Sequence, residues 1–380
     1  VGAELFLLDD GWFGNGLYSR DDDKHGLGDW EPSTKKLPRG LSYIAKEALK
    51  RKVDFGIWLE PEMVNPQSEL YQKHPDWIIT QPKRTPILGR HQEILDLTRP
   101  EVQAFEWQVI DKTLRPNPDI SYVKWDCNRY ITQPGSGYLQ PAEQSHLWID
   151  YNWALYRLME RFSKEFPNVM AMLCAGGSGR VDYGALPYFH SFWPSDNTDP
   201  LGRIKIQWGF SHFFPASTIS AHVTRMGKRH LKLAIDVALS GAFGIDLALD
   251  KATAEERVQI ADAVKLYKAS IRPLVMQGEL YRLVSPYEHP MASLSYVSTD
   301  KNDAVVYLYQ IQDGSVPQVI LGGLDARKNY RVEEVGLPKG STSRFPGHGK
   351  IFSGAALMST GIANPLNAQF ESAILLLKTQ

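Results

Sequence analysis

The segment Tyr122-Val-Lys-Trp-Asp-Cys-Asn-Arg129 carries a short apolar run into a cluster of reactive side chains. Along an extended chain successive side chains alternate between faces, so Lys124, Asp126 and Asn128 share one side. A cation beside a carboxyl lowers the carboxyl's pKa and keeps it ionised. An ionised, oriented carboxylate is a nucleophile for an electron-poor carbon such as the anomeric carbon of a sugar. A buried structural ion pair would use the same residues, and the motif by itself fits both readings. A second apolar run ends in the same way, at Ser191-Phe-Trp-Pro-Ser-Asp-Asn-Thr-Asp-Pro200. Asp199, next to Pro200, suits an Asx-type turn or a helix cap. Asp196 lies nearer the strand end and is the better candidate for chemistry.

Two carboxylates from different strands are the minimum equipment for hydrolysing a glycosidic bond. At about 5–5.5 Å the second attacks directly and configuration is retained, whereas at roughly 6.5–9.5 Å a water fits between them and configuration inverts. Spacing along the chain leaves that choice open.

Such a pair needs a frame that gathers strand ends. Short, continuously apolar runs at residues 5–8, 55–59, 121–125, 169–174, 190–193, 216–219 and 244–249 read as strands covered on both faces. Amphipathic stretches lie between them. Leu41, Ile44, Ala45, Ala48 and Leu49 form one helical face, and Leu155, Leu158, Met159, Phe162 and Phe166 form another. Residues 231–239 and 255–271 are further helical candidates. This alternation predicts a parallel α/β fold. Several runs end at carboxylates (Asp9 and Asp10, Glu60, Asp126, Asp196), as a (β/α)8 barrel active site requires. A doubly wound sheet would carry a glycine-rich first turn, which is not found. Near Met276 the texture changes to short strands at 304–310, 318–321, 330–334 and 372–377, separated by turn signals such as Gly322-Gly323. The expected division is a catalytic barrel over 1–276 and an antiparallel β-sandwich over 277–380.

Composition narrows the function class. The chain has 380 residues and a formal net charge of -1, so it offers no electrostatic case for nucleic acid or an anionic membrane. No apolar stretch is long enough to span a bilayer. The 10 tryptophans and 17 tyrosines suit the apolar faces of sugars, and equally a large core. Cys127 and Cys174 form neither a disulfide framework nor a zinc pattern. His190, His212, His222 and His230 lack ligand spacing and read as structural or pocket-lining, so no metal and no cofactor are expected.

Five motifs in order, Asp9-Asp-Gly-Trp-Phe-Gly14, Gly28-Asp-Trp30, Ile57-Trp-Leu-Glu-Pro-Glu-Met63, Lys124-Trp-Asp-Cys-Asn128 and Ser195-Asp-Asn-Thr-Asp199, resemble glycoside hydrolase family 36. The resemblance runs through nearly the whole chain. It implies a retaining, exo-acting α-galactosidase for terminal α-galactosyl residues of oligosaccharides such as melibiose and raffinose. Asp126 would be the nucleophile on the fourth barrel strand and Asp196 the acid/base on the sixth. It implies that Asp9 and Asp10 accept from the galactose O4 and O6 hydroxyls. Trp58 would wall the sugar site, Lys124 and Arg90 would donate to sugar hydroxyls, and Asn128 would bind substrate. Cys174 and Gly176, in Leu173-Cys-Ala-Gly-Gly-Ser-Gly-Arg180, would lie beside the sugar 2-position, and the cysteine favours galactose over N-acetylgalactosamine. Ala175, Ser178 and Pro194 depart from the family pattern. Only seven strands are counted and the chain begins at Val1, so a fragment lacking an N-terminal domain and the first barrel strand, poorly active alone, is expected. Galactosyl transfer of the raffinose-synthase type and a non-catalytic carbohydrate-binding remnant are the competing readings. A cytoplasmic setting and a homo-oligomeric full-length parent are expected as well.

Overall fold

The computed structural model describes residues 1–314 and 316–380. The chain forms two compact units, residues 3–193 and residues 194–380 with the first two residues.

In the first unit, strands β1 (Leu5–Leu8), β2 (Asp54–Leu59), β3 (Ile120–Trp125), β4 (Met170–Leu173) and β5 (Ser191–Phe192) form one parallel sheet in chain order. Parallel neighbours need long crossovers, and helices supply most of them. These are α1 (Gly40–Lys50), the short α2 (Glu69–Lys73), α3 (Pro100–Leu114) and α4 (Leu147–Glu165). Helix α1 buries Leu41 and Ala45, and α4 buries Leu155, Leu158, Met159 and Phe162, most of the faces that the periodicity predicts, while Leu49 is exposed and Phe166 lies just past the end of α4. The Gly28-Asp-Trp motif has a local structural task. Asp29 accepts the N–H groups of Glu69 and Leu70 at 2.8 and 3.0 Å, satisfying donors left over at the start of α2.

The second unit holds two more parallel strands, β6 (Ser220–Val223) and β7 (Ala242–Ile245), joined through α6 (Leu231–Ala238) and preceded by α5 (Pro200–Phe210). The strand expected at 216–219 is not one. Residues Ala216–Thr218 form a tight turn in which the carbonyl of Pro215 accepts both the N–H and the hydroxyl of Thr218, at 3.0 and 2.7 Å. The strand therefore starts at Ser220. Its partner lies at Ala242–Ile245 and ends before the acidic Asp246, not at 249. The long helical pattern forms α7 (Ala254–Leu266), one wider turn over Tyr267–Ile271, and α8 (Arg272–Gln277). Pro273 has no N–H to continue a regular ladder, and the N–H of Arg272 instead reaches back to the carbonyl of Tyr267.

These parallel strands and their helices are those of a (β/α)8 barrel, and an antiparallel β-sandwich domain follows. Its main sheet has the order β8 (Glu279–Val284), β9 (Met291–Val297), β10 (Asp303–Gln310), β15 (Ser372–Thr379), β12 (Asn329–Val335), β13 (Ile351–Ser353). The pair β11 (Gln318–Val319) and β14 (Ile362–Ala363) lies beside it. Strands β8, β9, β13 and β14 are absent from the sequence-based strand list. Ser293 and Ser295 interrupt the apolar pattern of β9, yet both are buried. One face of the sheet (Tyr296, Val305, Tyr307, Tyr309, Ile374) packs on α6, α7 and α8, and the other (Val306, Leu308, Leu375) packs under Val319, Leu357 and Ile362.

The helix-facing side carries three tyrosines whose hydroxyls cap the C-terminal end of α6. Tyr309 donates to the carbonyl of Asp236 at 3.1 Å, Tyr307 to Leu239 at 2.8 Å and Tyr296 to Ser240 at 2.8 Å. The last carbonyls of a helix lack partners within it, and a buried one left unpaired is destabilising. Tyr307→Phe is expected to lower the unfolding free energy by about 1–3 kcal/mol. Urea unfolding should show this against Tyr130→Phe, a change at an exposed tyrosine expected to stay within about 0.5 kcal/mol.

Candidate active site

Parallel pairing in register brings the strand ends of the first unit to one edge. Leu8 pairs with Ile57, Trp58 with Lys124, and Trp125 with Leu173. The ladder runs on past the strands. Asp126 N–H donates to Leu59 at 2.8 Å, Cys174 N–H to Trp125 at 2.8 Å, and Trp193 N–H to Leu173 at 3.0 Å. Asp9, Glu60, Asp126 and Cys174 therefore emerge from neighbouring strands at one end.

The alternation read from the sequence holds across β3. Trp125 turns toward the helices, its ring packing edge-on against Phe162 and Phe189. Lys124 and Asp126 turn the other way. Asp126 is almost fully buried, with 4% of its surface exposed. Its Oδ2 accepts the Trp58 indole N–H at 2.9 Å and its Oδ1 accepts the Cys127 N–H at 2.9 Å. Burial alone would push this carboxyl up. The Lys124 charge and hydrogen bonds from Trp58, the Cys174 thiol and Asn128 outweigh it and hold the acid below its ordinary range.

Lys124 donates to Asp9 Oδ2 at 2.8 Å, and its ammonium lies 5.8 Å from the Trp193 ring. Burial would pull the lysine down, but Asp9 and Asp126 together raise it, so it stays charged. Burial first, then the Asp126 charge, pushes the Cys174 thiol well up, which keeps it neutral. Asp10 is gripped by Arg20 in a two-pronged pair, Nε to Oδ1 at 3.0 Å and Nη2 to Oδ2 at 2.7 Å. Such a fork fixes the plane of the carboxylate. Trp58 is buried in an aromatic group with Phe13 and Trp30, and its ring is parallel to that of Phe13.

Asn128 Oδ1 accepts the Gly176 N–H at 3.1 Å. Gly176 and Gly177 both have positive φ, which glycine adopts without the Cβ clash that other residues meet. Arg90 is exposed, with Asp23 3.6 Å from its Nε. Burial acts to lower its pKa, but the charges of Asp23, Glu60, Asp126 and Asp10 raise it overall. The backbone here is unusual. Arg90 and His91 both have positive φ (51° and 59°), between Gly89 and Gln92, which exchange backbone hydrogen bonds of 3.3 and 2.9 Å. Two left-handed central residues define a tight hairpin turn that normally takes Asn-Gly. Placing Arg and His there is strained, and Asn65 Nδ2 donating to the His91 carbonyl at 2.8 Å helps to hold it.

Asp196 belongs to the second unit and is solvent-exposed. Around it, Ser195 Oγ accepts the Asn197 N–H at 3.0 Å and Thr198 Oγ1 meets Thr224 Oγ1 at 2.8 Å. Asp199 caps α5 through the Leu201 N–H at 3.3 Å and pairs with Arg229, also at 3.3 Å. The structure thus gathers Asp9, Asp10, Trp58, Lys124, Asp126, Asn128, Cys174 and Gly176 within the first unit. Of the histidines, His190 Nδ1 accepts the Ala171 N–H at 3.1 Å.

Sequence reading passed over several residues around this edge. Glu62 accepts from Trp125 Nε1 at 3.0 Å, from the Tyr151 hydroxyl at 2.8 Å, and from Arg180. Arg180 Nη2 also reaches the backbone oxygen of Asp126 at 3.2 Å. Glu62 lies two residues past Glu60, which the sequence already marks as a strand-end carboxylate, and that signal would have found it. Arg180 offers none, because Glu62 lies 118 residues away, and Arg20, though only ten residues from Asp10, sits in a loop with no periodicity to mark it.

Known proteins resemble the chain over most of its length. The Melibiase family model matches residues 1–278, and the glycosyl hydrolase family 36 C-terminal domain model matches residues 291–377. Alpha-galactosidase AgaA of Geobacillus stearothermophilus is 40% identical over 374 residues, covering 96% of this chain and 49% of that protein. The crystal structure of the family 36 α-galactosidase AgaB from the same organism superposes with a TM-score of 0.90 at 39% identity, over 99% of this chain and 51% of that one. A variant of AgaA in complex with raffinose gives a TM-score of 0.90 at 38% identity, over 99% and 51%. The chain spans about half the length of the curated relatives it matches. Family models over both parts of the sequence, joined to a parallel-strand edge that presents Lys124 and Asp126, settle the assignment: the chain belongs to glycoside hydrolase family 36, the α-galactosidases.

Proposed function

We propose that the chain is the catalytic part of a retaining, exo-acting α-galactosidase that removes terminal α-galactosyl residues from oligosaccharides such as melibiose and raffinose. The observation that carries this reading is Asp126, a buried carboxylate kept ionised by Lys124 and Trp58 at the end of a parallel strand. In the first step an Asp126 oxygen attacks the anomeric carbon, the bond to the leaving oxygen breaks, and Asp196 gives that oxygen a proton. In the second, Asp196 takes a proton from water, the water oxygen attacks the same carbon, and the Asp126 carboxylate leaves. Two inversions at one carbon retain its configuration.

The remaining roles are those that the resemblance to the family implies, and the local partners of each residue support them. Asp9 and Asp10, oriented by Lys124 and Arg20, accept from the O4 and O6 hydroxyls. An oriented acceptor left without its hydroxyl disfavours sugars that lack one there. Lys124, Arg90 and Asn128 serve the other hydroxyls, Trp58 backs the nucleophile, and Cys174 with Gly176 borders the 2-position. The catalytic barrel is taken as 1–276 and the β-sandwich as 277–380, which the family matches support. The reading includes a homo-oligomer at work in the cytoplasm. Both cysteines are free thiols, and α4 leaves Trp148, Ile149 and Trp153 exposed, an apolar face of the kind subunit contacts cover. Among the described residues no helix is long and apolar enough to cross a membrane.

A slow fluorinated α-galactoside should label the full-length protein on the peptide carrying Asp126, by mass mapping; a label elsewhere refutes the assignment. Asp126→Asn should lower kcat by about three orders of magnitude or more. Asp196→Ala should slow raffinose hydrolysis by about 10²–10⁴-fold, yet spare nitrophenyl galactosides, whose leaving group needs little protonation. Lys124→Met removes the cation that holds Asp126 down, so the nucleophile's pKa rises. The acidic limb of kcat/KM should then move to higher pH by about 1–3 units. An unmoved limb would show that Lys124 is not what keeps Asp126 ionised.

A further inference from the structure

Glu60 ends β2 as Asp126 ends β3, yet double displacement gives it nothing to do. It is completely buried. One oxygen accepts the backbone N–H of Asn128, and the other meets Gln92 Nε2 at 3.2 Å. Asn128 passes the connection on, its Oδ1 accepting the Gly176 N–H at 3.1 Å and its side chain also bonding Asp126. A continuous line of hydrogen bonds therefore joins the ends of β2, β3 and β4, with Glu60 at its head. On its other side Gln92 closes the strained turn that carries Arg90.

The charged and titratable groups facing Glu60 are Asp126 and Asp10, of like sign, Arg90, of opposite sign, and the neutral Cys127 thiol. No cation forms an ion pair with it among the described residues, whereas Asp9 and Asp10 each have one. Gln92 Oε1 is buried without a hydrogen bond. The Gln92 Nε2 bond to Glu60 suits a neutral acid as well as an ionised one, so complete burial, the missing ion pair and the nearby Asp126 charge decide between them.

We propose that Glu60 is a positioning residue for the nucleophile, and that it acts as a neutral carboxylic acid, locking Asn128 and the Gly176 loop in place without setting a second negative charge beside Asp126. Burial, then the Asp126 charge, pushes its carboxyl up to about 8, in keeping with the geometry. This rests on Asp126 being the nucleophile.

The test compares Glu60→Gln and Glu60→Leu in the full-length protein. Glu60→Gln keeps an acceptor for Asn128 and cannot ionise. It should hold kcat within about threefold and leave the acidic limb of kcat/KM where it is. Glu60→Leu leaves the Asn128 N–H without a partner, and should lower kcat by about 30–100-fold with KM changed less than about threefold. A Glu60→Gln limb displaced to lower pH would mean that a charge had been removed, and would overturn the proposal. So would a Glu60→Leu enzyme of normal kcat, or equal damage in both variants. A readout without turnover covers a Glu60→Leu protein that fails to fold. A carboxyl raised on folding loses stability as pH climbs from its unfolded value toward the folded one. The fall in Tm from pH 5 to pH 8 should therefore be smaller in Glu60→Gln than in the parent, and an equal fall counts against the neutral acid. A protein inert toward every α-galactoside would sink the functional reading instead, and the Tm comparison would still decide the state of Glu60.

Discussion

One constraint organises the strand-end cluster: a buried carboxylate, Asp126, must stay charged. Removing a charge from water is unfavourable unless partners replace the water. Lys124, two residues back on the same face of the same strand, supplies the opposite charge, and Trp58 from the neighbouring strand supplies a hydrogen bond. The surrounding carboxyls sort themselves by whether a cation reaches them. Asp9 shares Lys124, Asp10 has Arg20, and Glu62 has Arg180. Among the described residues Glu60 and Glu106 have no such ion pair, and burial raises both, Glu106 with the added push of Glu62. A crowd of acids is tolerable at this edge because it does not carry a full set of charges.

The same accounting of polar groups governs the second unit. Helix α6 ends against a buried sheet face, where its carbonyls would lose water. Three tyrosines on β9 and β10 meet them, bringing apolar ring and hydroxyl to the same place. Below them Asp236 accepts from Ser372 on β15, so the helix is tied to the sheet by side chain as well as by carbonyl.

What could be read from the sequence depended on the range of the forces involved. The placement of Lys124 and Asp126 was legible because strand alternation is local. The helices over 40–50 and 147–165 were legible because their apolar faces repeat within a few residues. Strand β6 was displaced by four residues because Ala-Ser-Thr-Ile looks apolar enough for a strand, while Pro215 and Thr218 close a turn there. Strand β9 escaped notice because a serine counts as polar until its burial is known. Arg20 and Arg180 were invisible for a different reason. An arginine's task lies with whatever the fold carries to it, and Glu62 is 118 residues from Arg180 along the chain.

The turn at Gly89–Gln92 constrains how the region beside the strand ends can be varied. Arg90 and His91 are held in a left-handed backbone that β-branched side chains resist. Replacing Arg90 with valine or threonine would disturb the hairpin along with the charge, so any change in activity would mix the two effects. Asparagine or glycine removes the charge and keeps the backbone. Position 90 can thus be questioned cleanly with only a few amino acids, a restriction set by the main chain and independent of any sugar bound there.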